Sequence, residues 1–306
     1  MQRSSVADAL WIKRDDLSAP RLGGNKVRAL EYLLAGVRDG DHVLTVGGRG
    51  STHALSTAVH AHRLGARVSV LRWSQEMNDA AHAVDARLRS ECDAVHDAWS
   101  VAGTYARVGW LRARARLGGE ALHWIPAGGT TPLGILGHVN AALELADQVK
   151  RGVLPAPARV VLPLGTGGTA AGLALGFAIA GLPTDVVGAR VVPRVVARRS
   201  RVLALAERTA RLIERLSAAS GAPVAVPRPA PSSIRVEHDV YGGAYGRELA
   251  RARDASTRFA SAHEGCPLDA TYSAKAFAAA LAACDGQPTL FWLTFDGRWL
   301  DRGLTV

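Results

Sequence analysis

The chain has 306 residues, 48% of them hydrophobic and 21% charged, and its formal net charge at pH 7 is +10. This length supports one large domain or two moderate ones, and no run of about 18 apolar residues predicts a membrane span. The start of the sequence shows no apolar segment with a small-residue cleavage site, and Cys92, Cys266 and Cys284 match neither a disulfide framework nor a metal-ligand spacing. We therefore expect a globular, cytoplasmic protein that uses no metal and no membrane.

The positive charge comes from arginines that are spread along the chain. The segment richest in them, 193–216, alternates arginines with apolar residues at helical spacing, which is typical of a solvated helix face above a core face. Aromatic residues make up only 6% of the chain, and no nucleic-acid recognition motif is present. We expect no nucleic-acid partner, whereas local positive charge would suit an anionic cofactor or substrate.

An amine stands out early in the chain, in the segment RLGGNKVRAL at 21–30. Lys26 is one of four lysines among 37 lysines and arginines. A lysine, unlike an arginine, can lose its proton and act as a nucleophile. Two glycines and Asn25 precede it, and an amphipathic helix is predicted to follow. By itself the pattern also fits a solvated lysine at a helix start, so the rest of the chain has to decide between the two interpretations.

The next elements are a strand, a glycine turn and a helix. The strand is predicted over 41–48 and the helix over 51–65, with Ser51 or Thr52 as the N-cap. Free N–H groups at such a helix start can hold a carboxylate, and Ser51, Thr52 and His53 would stand at its rim. Taken alone, His53 is more simply an exposed histidine at a helix start.

The strongest local pattern is PLGTGGTAAG at 163–172, where a strand runs through glycines into a helix. Glycines let backbone N–H groups converge, and the helix N-terminus adds a partial positive charge, so this turn favours a phosphate. A loose dinucleotide fingerprint, G-x-G-x-x-A, also begins at Gly165. The next predicted strand, 184–192, ends near Arg190 and not at the acidic residue that NAD needs, which disfavours NAD and leaves NADP as an alternative.

Two further segments complete the pattern. GGAYGRE at 242–248 places Tyr245 between glycines, and TLFWLTF at 289–295 is predicted to be a buried strand. A tyrosine in such a loop more often packs than acts as an acid or base. Strands that alternate with helices predict an α/β fold with mostly parallel sheets and helices on both faces, and ligands then bind beyond the carboxyl ends of the strands. A reactive lysine and a separate phosphate site are together what pyridoxal phosphate requires.

Several segments, in chain order, resemble the 1-aminocyclopropane-1-carboxylate deaminase and D-cysteine desulfhydrase family: IKRDDLSAPRLGGNKVRALEYLL, GGRGSTHALSTAVHAHRLG, WIPAGGTTPLGILGHVNAALEL, GTGGTAAGLALG, GGAYG and EGCPLDATYSAKAF. The resemblance spans nearly the whole chain. It implies a pyridoxal-phosphate enzyme of fold type II with two three-layer αβα domains. Residues 1–40 and 138–306 would form the large cofactor-binding domain, and residues 41–137 would form a small domain over the active site. It further implies a homodimer that acts on a small amino acid.

The resemblance also implies a role for each matching residue. Lys26 would form the Schiff base with the cofactor and later move the α-proton of the substrate, and Ser51 and Tyr245 would be its catalytic partners. Ser51, Thr52, His53 and Tyr245 would bind the substrate. The remaining cofactor contacts would come from Asn25, Thr52, Gly165, Thr166, Gly167, Gly168, Thr169, Ser273 at the pyridine nitrogen, and Thr294.

Three departures from the family bear on the substrate. Thr52 replaces an asparagine that bonds the phenolic oxygen of the cofactor, and Leu293-Thr294-Phe295-Asp296 replaces His-Thr-Gly-Gly. Ser273 stands where the deaminases have glutamate and the desulfhydrases often have threonine. A hydroxyl at the pyridine nitrogen makes the ring a weaker electron sink than a carboxylate would. Asp296 would restore a charge if it turned inward.

These considerations favour β-elimination after removal of the α-proton, as in D-cysteine desulfhydrase, with a 2-oxo acid and ammonia as products. The alternatives are ring opening of 1-aminocyclopropane-1-carboxylate and β-replacement on a cysteine- or serine-like substrate in a specialised pathway. A weakened relative that binds pyridoxal phosphate without turnover also remains an alternative.

Overall fold

The computed structural model describes residues 1–263 and 266–301. Its strands are β1 (Gln2–Arg3), β2 (Leu10–Arg14), β3 (His42–Gly48), β4 (Arg67–Trp73), β5 (Ala94–Ala98), β6 (Leu122–Ile125), β7 (Arg159–Leu164), β8 (Asp185–Arg190), β9 (Ile234–Glu237) and β10 (Thr289–Leu293). Its α-helices are α1 (Asn25–Leu33), α2 (Thr52–His62), α3 (Asp79–Ser90), α4 (Val101–Leu117), α5 (Pro132–Lys150), α6 (Gly168–Ala180), α7 (Arg199–Ala219), α8 (Ala250–Ala262), α9 (Ser273–Ala283) and α10 (Arg298–Asp301). Among the described residues, no helix is both long enough and apolar enough to cross a bilayer.

The strands form two sheets. One has six strands in the order β1-β2-β10-β7-β8-β9, and the other has four in the order β5-β4-β3-β6. Strand β1 pairs antiparallel with β2, and all other neighbours are parallel. The predicted α/β class with mostly parallel sheets is confirmed.

The six-stranded sheet carries a core on each of its faces. Successive side chains of a strand point to opposite faces, so Val160 and Leu162 of β7 pack with α5, α6 and α7. Val161, between them, packs with α8 and α9. The sheet is therefore the middle of three layers, as predicted.

The four-stranded sheet is built in the same way. Val43 and Val68 pack against α2 and α3 on one face. Leu44 and Leu71 contact Val108 of α4 on the other face. Helices on both faces again give three layers, which explains why these parallel strands are apolar along their length.

The two sheets draw on different parts of the chain. All strands of the four-stranded sheet lie within 41–137, and those of the six-stranded sheet lie outside that range. The division into a large and a small domain at 40/41 and 137/138 stays a prediction. Helix α5 runs across the second of these points and packs against both α1 and α6.

Glycines let α5 approach its neighbours closely. A Cβ at Gly137 would overlap the carbonyl oxygen of Arg28 in α1, and a Cβ at Gly172 in α6 would overlap His138. Any larger residue would push the helices apart. The first turns of α1 and α6 therefore meet beside α5, at the loops that follow β7 and β10.

Candidate active site

The loop that precedes Lys26 is held by the end of β10. The Asn25 N–H donates to the carbonyl oxygen of Thr294 at 2.9 Å, and Gly24 forms an isolated antiparallel bridge with Phe295. Gly24 has a φ of 142°, and a Cβ there would lie 2.6 Å from the Thr294 oxygen. A side chain at this position would break the contact. Two backbone contacts with the residues that follow β10 thus fix the start of α1.

Lys26 lies in the first turn of α1, and burial lowers the pKa of its amine from 10.5 to about 8. His53 and His138 are its close neighbours. The pKa of each imidazole is lowered to about 3, mainly by burial and secondly by the charge of the nearby lysine. Both histidines are therefore neutral at neutral pH, and the Lys26 amine loses its proton more readily than an exposed lysine does.

A hydrogen-bond chain connects the lysine loop with the first turn of α6. The Asn25 side-chain amide donates to Thr169 Oγ1 at 2.7 Å. The Nε2 atom of His138 lies 3.4 Å from the same oxygen. All three side chains are buried. The predicted cofactor residues Asn25 and Thr169 are thus brought together, next to a histidine that the sequence analysis did not single out.

The predicted phosphate turn lies between β7 and α6. Gly167, with a left-handed φ of 94°, caps α6 and has no side chain that could bond the first N–H groups of the helix. The Thr130 hydroxyl donates to the Thr166 hydroxyl at 2.6 Å, which ties the turn to the loop before α5. A Cβ at Gly165 would meet nothing within 4 Å, so the space beside the turn is open. Backbone N–H groups and the positive end of α6 remain available for an anion.

The start of α2 has the predicted N-cap. Ser51 Oγ accepts from the Ala54 N–H at 3.3 Å, and Thr52 begins the helix. His53 is 4% exposed, and its Nε2 atom lies 3.3 Å from Thr45 Oγ1. The interpretation of His53 as an exposed histidine is therefore wrong, because the first turn of α2 faces inward, towards Lys26.

Tyr245 belongs to a pair of hydrogen-bonded phenols. Its hydroxyl bonds the hydroxyl of Tyr272, and the two rings meet edge to face with their centroids 5.9 Å apart. Thr52 lies beside the Tyr272 hydroxyl, and Gln75 lies beside the Tyr245 hydroxyl. Burial raises the pKa of Tyr272 to about 12 and the pKa of Tyr245 well above its ordinary value. Both phenols therefore keep their protons at neutral pH and join the start of α2 to the loop at 242–246.

Ser273 begins α9, and its hydroxyl is fully buried. Ser273 Oγ lies near the Asp269 carboxylate, but it makes no hydrogen bond of acceptable geometry with any of the described residues. The adjacent backbone is held by Asp269, whose carboxylate accepts from the N–H groups of Tyr272 at 2.7 Å and Ser273 at 3.0 Å. Burial raises the pKa of Asp269. An unpartnered buried hydroxyl needs an explanation, and a missing ligand atom provides one.

These residues fit pyridoxal phosphate. Lys26 supplies the amine, the turn at 165–169 supplies the anion site, and Ser273 supplies a hydroxyl that lacks a partner among the described residues. Contacts connect the three. Asn25, next to Lys26, bonds Thr169 of the turn. Tyr272, next to Ser273, lies beside Thr52 of α2, and the following residue, His53, is a close neighbour of Lys26. The fold and this site together define an enzyme that uses pyridoxal phosphate.

The comparisons with known proteins agree with this class. The chain belongs to the pyridoxal-phosphate dependent enzyme family, whose model matches residues 2–290, within the group that includes 1-aminocyclopropane-1-carboxylate deaminase and D-cysteine desulfhydrase. It is 39% identical over 299 residues to nocardicin C-9' epimerase of Nocardia uniformis, covering 94% of this chain and 86% of the relative.

Two more relatives and a solved structure extend the comparison. Identity is 32% over 281 residues with a putative 1-aminocyclopropane-1-carboxylate deaminase of Pyrococcus furiosus, covering 89% of this chain and 78% of the relative. It is 31% over 282 residues with D-cysteine desulfhydrase of Serratia proteamaculans, covering 88% and 79%. The crystal structure of a 1-aminocyclopropane-1-carboxylate deaminase homologue matches 94% of this chain and 84% of its own, at 27% identity and a TM-score of 0.73. The predicted fold type II is confirmed.

The NADP alternative finds no support in the geometry. The Arg190 guanidinium lies over the ring of Tyr241, 4.3 Å from its centroid, and donates to the carbonyl oxygens of Val192 and His238 at 3.3 and 3.4 Å. The Arg190 guanidinium is therefore already bonded to protein groups near the end of β8.

The segment at 293–296 has a structural function. Phe295 is buried in the core that contains Leu22 and Leu30. The Asp296 carboxylate accepts from the Arg298 guanidinium at 2.6 and 3.0 Å, so it is paired there and does not supply a charge to the site. The Thr294 carbonyl holds the lysine loop. The departure from His-Thr-Gly-Gly therefore changes how the loop is packed.

Sequence reasoning missed three residues of the site: Gln75, His138 and Tyr272. Gln75 follows the carboxyl end of β4, and in a parallel sheet that position is itself a signal. His138 lies between small residues on the buried face of α5, where a polar residue is unusual enough to be noticed. Tyr272 immediately precedes Ser273 and had no signal of its own.

Proposed function

We propose that this enzyme removes the α-proton of a small amino acid through Lys26 and then expels a β-substituent. Water would hydrolyse the resulting enamine to a 2-oxo acid and ammonia. The observation that carries the proposal is the Lys26 amine, whose pKa is lowered to about 8 beside an open anion-binding turn. A base with a pKa near the working pH is well matched to proton transfer. Bound pyridoxal phosphate supplies the electron sink for the electrons left at the α-carbon.

The site residues would divide the binding between them. Gly165, Thr166, Gly167, Gly168 and Thr169 would hold the phosphate, Ser273 the pyridine nitrogen, and Asn25, Thr52 and Thr294 the surroundings of the ring. The substrate carboxylate would lie at the start of α2, against Ser51, Thr52 and His53. Free N–H groups at this helix start favour a negative charge.

The neighbours of Lys26 would keep its amine basic and mobile. Neutral His53 and His138 place no second positive charge next to it. Asn25 and Thr169 hold the loop, so that Lys26 moves only through its own side chain. A proton removed at the α-carbon would remain on the Lys26 nitrogen until the β-substituent leaves.

The hydroxyl at Ser273 favours elimination over ring opening. A neutral hydroxyl at the pyridine nitrogen withdraws fewer electrons than a carboxylate does, and Asp296 is paired with Arg298. Expulsion of a good leaving group needs only a short-lived negative charge at the α-carbon. An unactivated cyclopropane ring needs a longer-lived one.

A second candidate function is epimerisation at the α-carbon. The relative that is 39% identical to this chain is named nocardicin C-9' epimerase. An inversion needs a proton donor other than the group that removed the proton, and the Tyr245–Tyr272 pair is protonated at neutral pH. In this case Lys26 would remove the α-proton from one face of the substrate, and Tyr245 would donate a proton to the other face.

One experiment separates the two candidates. The purified protein is loaded with pyridoxal phosphate and incubated in D2O with D- and L-cysteine, D- and L-serine, their β-substituted forms and 1-aminocyclopropane-1-carboxylate. Release of a 2-oxo acid supports elimination, whereas deuterium at the α-carbon with inverted configuration and no 2-oxo acid supports epimerisation.

The Lys26→Ala variant serves as the control, and it should lose both the lysine-bound absorbance of the cofactor and all exchange. A wild-type protein that binds the cofactor but neither exchanges the α-proton nor releases product would overturn both candidates. Tyr245→Phe should slow inversion by about tenfold or more while wash-in of deuterium by Lys26 continues.

We further propose that the enzyme is a cytoplasmic homodimer. The resemblance to the family supports the dimer, and three free cysteine thiols are in keeping with a reducing compartment. Light scattering of the purified protein tests the oligomeric state.

A further inference from the structure

Away from the candidate active site, a cavity of about 340 Å³ lies between the four-stranded sheet and α4. The sheet contributes His42, Ser69 and His96 to its lining, and the helix contributes Arg107, Trp110 and Arg114. None of these residues belongs to the candidate active site.

The cavity lies on the face of the sheet that is turned away from the pyridoxal phosphate site. Leu44 of β3 lines the cavity and packs with Val108 of α4. Thr45, the next residue, contacts His53 of α2. Successive side chains of a strand point to opposite faces of the sheet, so the sheet separates the cavity from Lys26, and its occupant is not the substrate of Lys26.

The charge of the cavity is positive. Glu120, the carboxylate at its rim, is engaged by His42 at 2.8 Å and by Arg67 at 3.0 Å. Arg114 lies over the ring of Trp110, 5.6 Å from its centroid. In the part of the chain that the structure describes, Arg107 and Arg114 thus have no carboxylate partner. Two guanidiniums without a carboxylate partner beside a cavity favour an anion.

Hydrogen bonds fix the floor of the cavity. His42 Nε2 lies 2.8 Å from Ser69 Oγ, and His42 Nδ1 lies 2.8 Å from the Glu120 carboxylate. The order serine, histidine, acid occurs in serine hydrolases, but Ser69 pairs with strands on both sides, at Leu44 and Ala94. It therefore lies within the sheet, away from the free N–H groups that would stabilise an oxyanion. The two hydrogen bonds of His42 hold its ring in one orientation, as a polar part of the cavity floor.

We propose that this cavity is a second ligand site, which binds a small organic anion with a carboxylate or phosphate on an aromatic or other apolar group. Arg107 and Arg114 would bind the anionic group, and Trp110, Leu111 and Leu122 would contact the apolar part. The volume lies in the range of small-molecule sites, roughly 300–1,000 Å³. Burial, and after it Arg107, lowers the pKa of His96, so this imidazole adds a hydrogen bond at neutral pH and no charge.

The test is calorimetric titration of the enzyme loaded with pyridoxal phosphate. The cofactor would then occupy the turn at 165–169, so that the probe does not bind there. Phenyl phosphate is the probe, and benzyl alcohol is its neutral counterpart. We expect one phenyl phosphate per chain with a Kd below about 1 mM and no heat from benzyl alcohol. The double variant Arg107→Gln/Arg114→Gln should weaken binding by about tenfold or more, and Arg116→Gln, on the same helix but outside the cavity, should not.

The absorbance of the bound cofactor and the unfolding midpoint show whether the double variant is folded. If it is not, hydrogen exchange of the wild type replaces it, and phenyl phosphate should protect α4 and β3. The proposal is overturned if phenyl phosphate gives no heat up to about 10 mM, or if a folded double variant binds it as tightly as the wild type. Protection confined to α6 would equally overturn it.

Discussion

The Asn25 side-chain amide donates a 2.7 Å hydrogen bond to Thr169 Oγ1, and this bond joins the loop that carries Lys26 to the helix that would bind the cofactor phosphate. Both residues are buried, and without Asn25 the Thr169 hydroxyl would keep only the longer contact of 3.4 Å to His138 Nε2. The position of the amine relative to the anion site is therefore tied to a contact between side chains that are far apart in the chain.

This contact leads to a first prediction. Asn25→Ala removes the shorter of the two side-chain contacts of Thr169 Oγ1, at a cost of about 1 kcal/mol, and should raise the dissociation constant of pyridoxal phosphate by about tenfold. Absorbance titration of the apoprotein with the cofactor measures it. Asn140→Ala removes an amide that bonds the Tyr32 hydroxyl on the exposed side of α5 and should leave the affinity unchanged. Equal affinity in all three proteins would refute the role of Asn25.

The lowered pKa of Lys26 leads to a second prediction, for the protein without cofactor. The pKa is about 8 when folded and 10.5 for an ordinary lysine, so between these pH values the unfolded state binds more protons. Stability must then rise with pH across this window. We expect Lys26→Met to be more stable than the wild type at pH 7, and the advantage to shrink by pH 10.

Urea unfolding of both proteins at several pH values measures this difference. Groups that Lys26 does not influence cancel from it, and His53 and His138, whose pKa values of about 3 lie far below this window, stay neutral throughout. Lys150→Met, at the exposed end of α5, is the matched control and should show a difference that does not vary with pH. A constant difference for Lys26→Met would mean that its amine is not buried as described.

The unpartnered hydroxyl of Ser273 gives a third prediction with opposite signs in the two states. Without cofactor, Ser273→Ala removes a buried oxygen that has no partner among the described residues and should not lower the free energy of unfolding. With cofactor, loss of the contact to the pyridine nitrogen should weaken binding by about tenfold. Urea unfolding and cofactor titration provide the two readouts.

A control for Ser273 is Thr209→Val on α7, which removes a buried hydroxyl bonded to the Leu205 carbonyl. Its affinity for pyridoxal phosphate should be unchanged. If Ser273→Ala destabilised the apoprotein and left cofactor binding intact, its hydroxyl would have a structural partner and no ligand.

Phe295 gives a fourth prediction, about stability. Its ring is 5% exposed in the core with Leu22 and Leu30, so Phe295→Ala should cost roughly 3–5 kcal/mol through lost contacts and the cavity left behind. Phe295→Leu keeps most of the volume and should cost about 1.5 kcal/mol or less. Thermal unfolding of the apoprotein measures both, and equal midpoints would show that the ring does not support the loop.

Much of the fold follows from local patterns. The strand predicted over 41–48 is His42–Gly48, and the strand predicted over 289–295 is Thr289–Leu293. The helix predicted over 51–65 ends earlier, at His62, because the chain turns at Arg63 and reaches the left-handed Gly65 only after leaving the helix. Short apolar runs next to glycines predicted these strands, because parallel strands that are buried on both faces are apolar along their length.

The site was predictable only where its residues are contiguous. Lys26 and the glycine turn carry their signals within a few positions, because backbone geometry and amine chemistry are local. The Tyr245–Tyr272 pair, the partner of Asp296 and the contact of His138 with Thr169 depend on how distant segments pack. No periodicity or spacing reports such packing, so these features required the structure.

Residues 23–25 and 294–296, which are far apart in the sequence, meet next to Lys26. Thr294 receives the Asn25 N–H, and the Asp296 N–H approaches the Gly23 carbonyl at 3.3 Å. A ribosome makes the N-terminal part first, so Lys26 emerges long before the strand that positions it. A chain that is still being made lacks the residues that hold the Lys26 loop, so we expect native cofactor loading to follow the synthesis of residues 294–296.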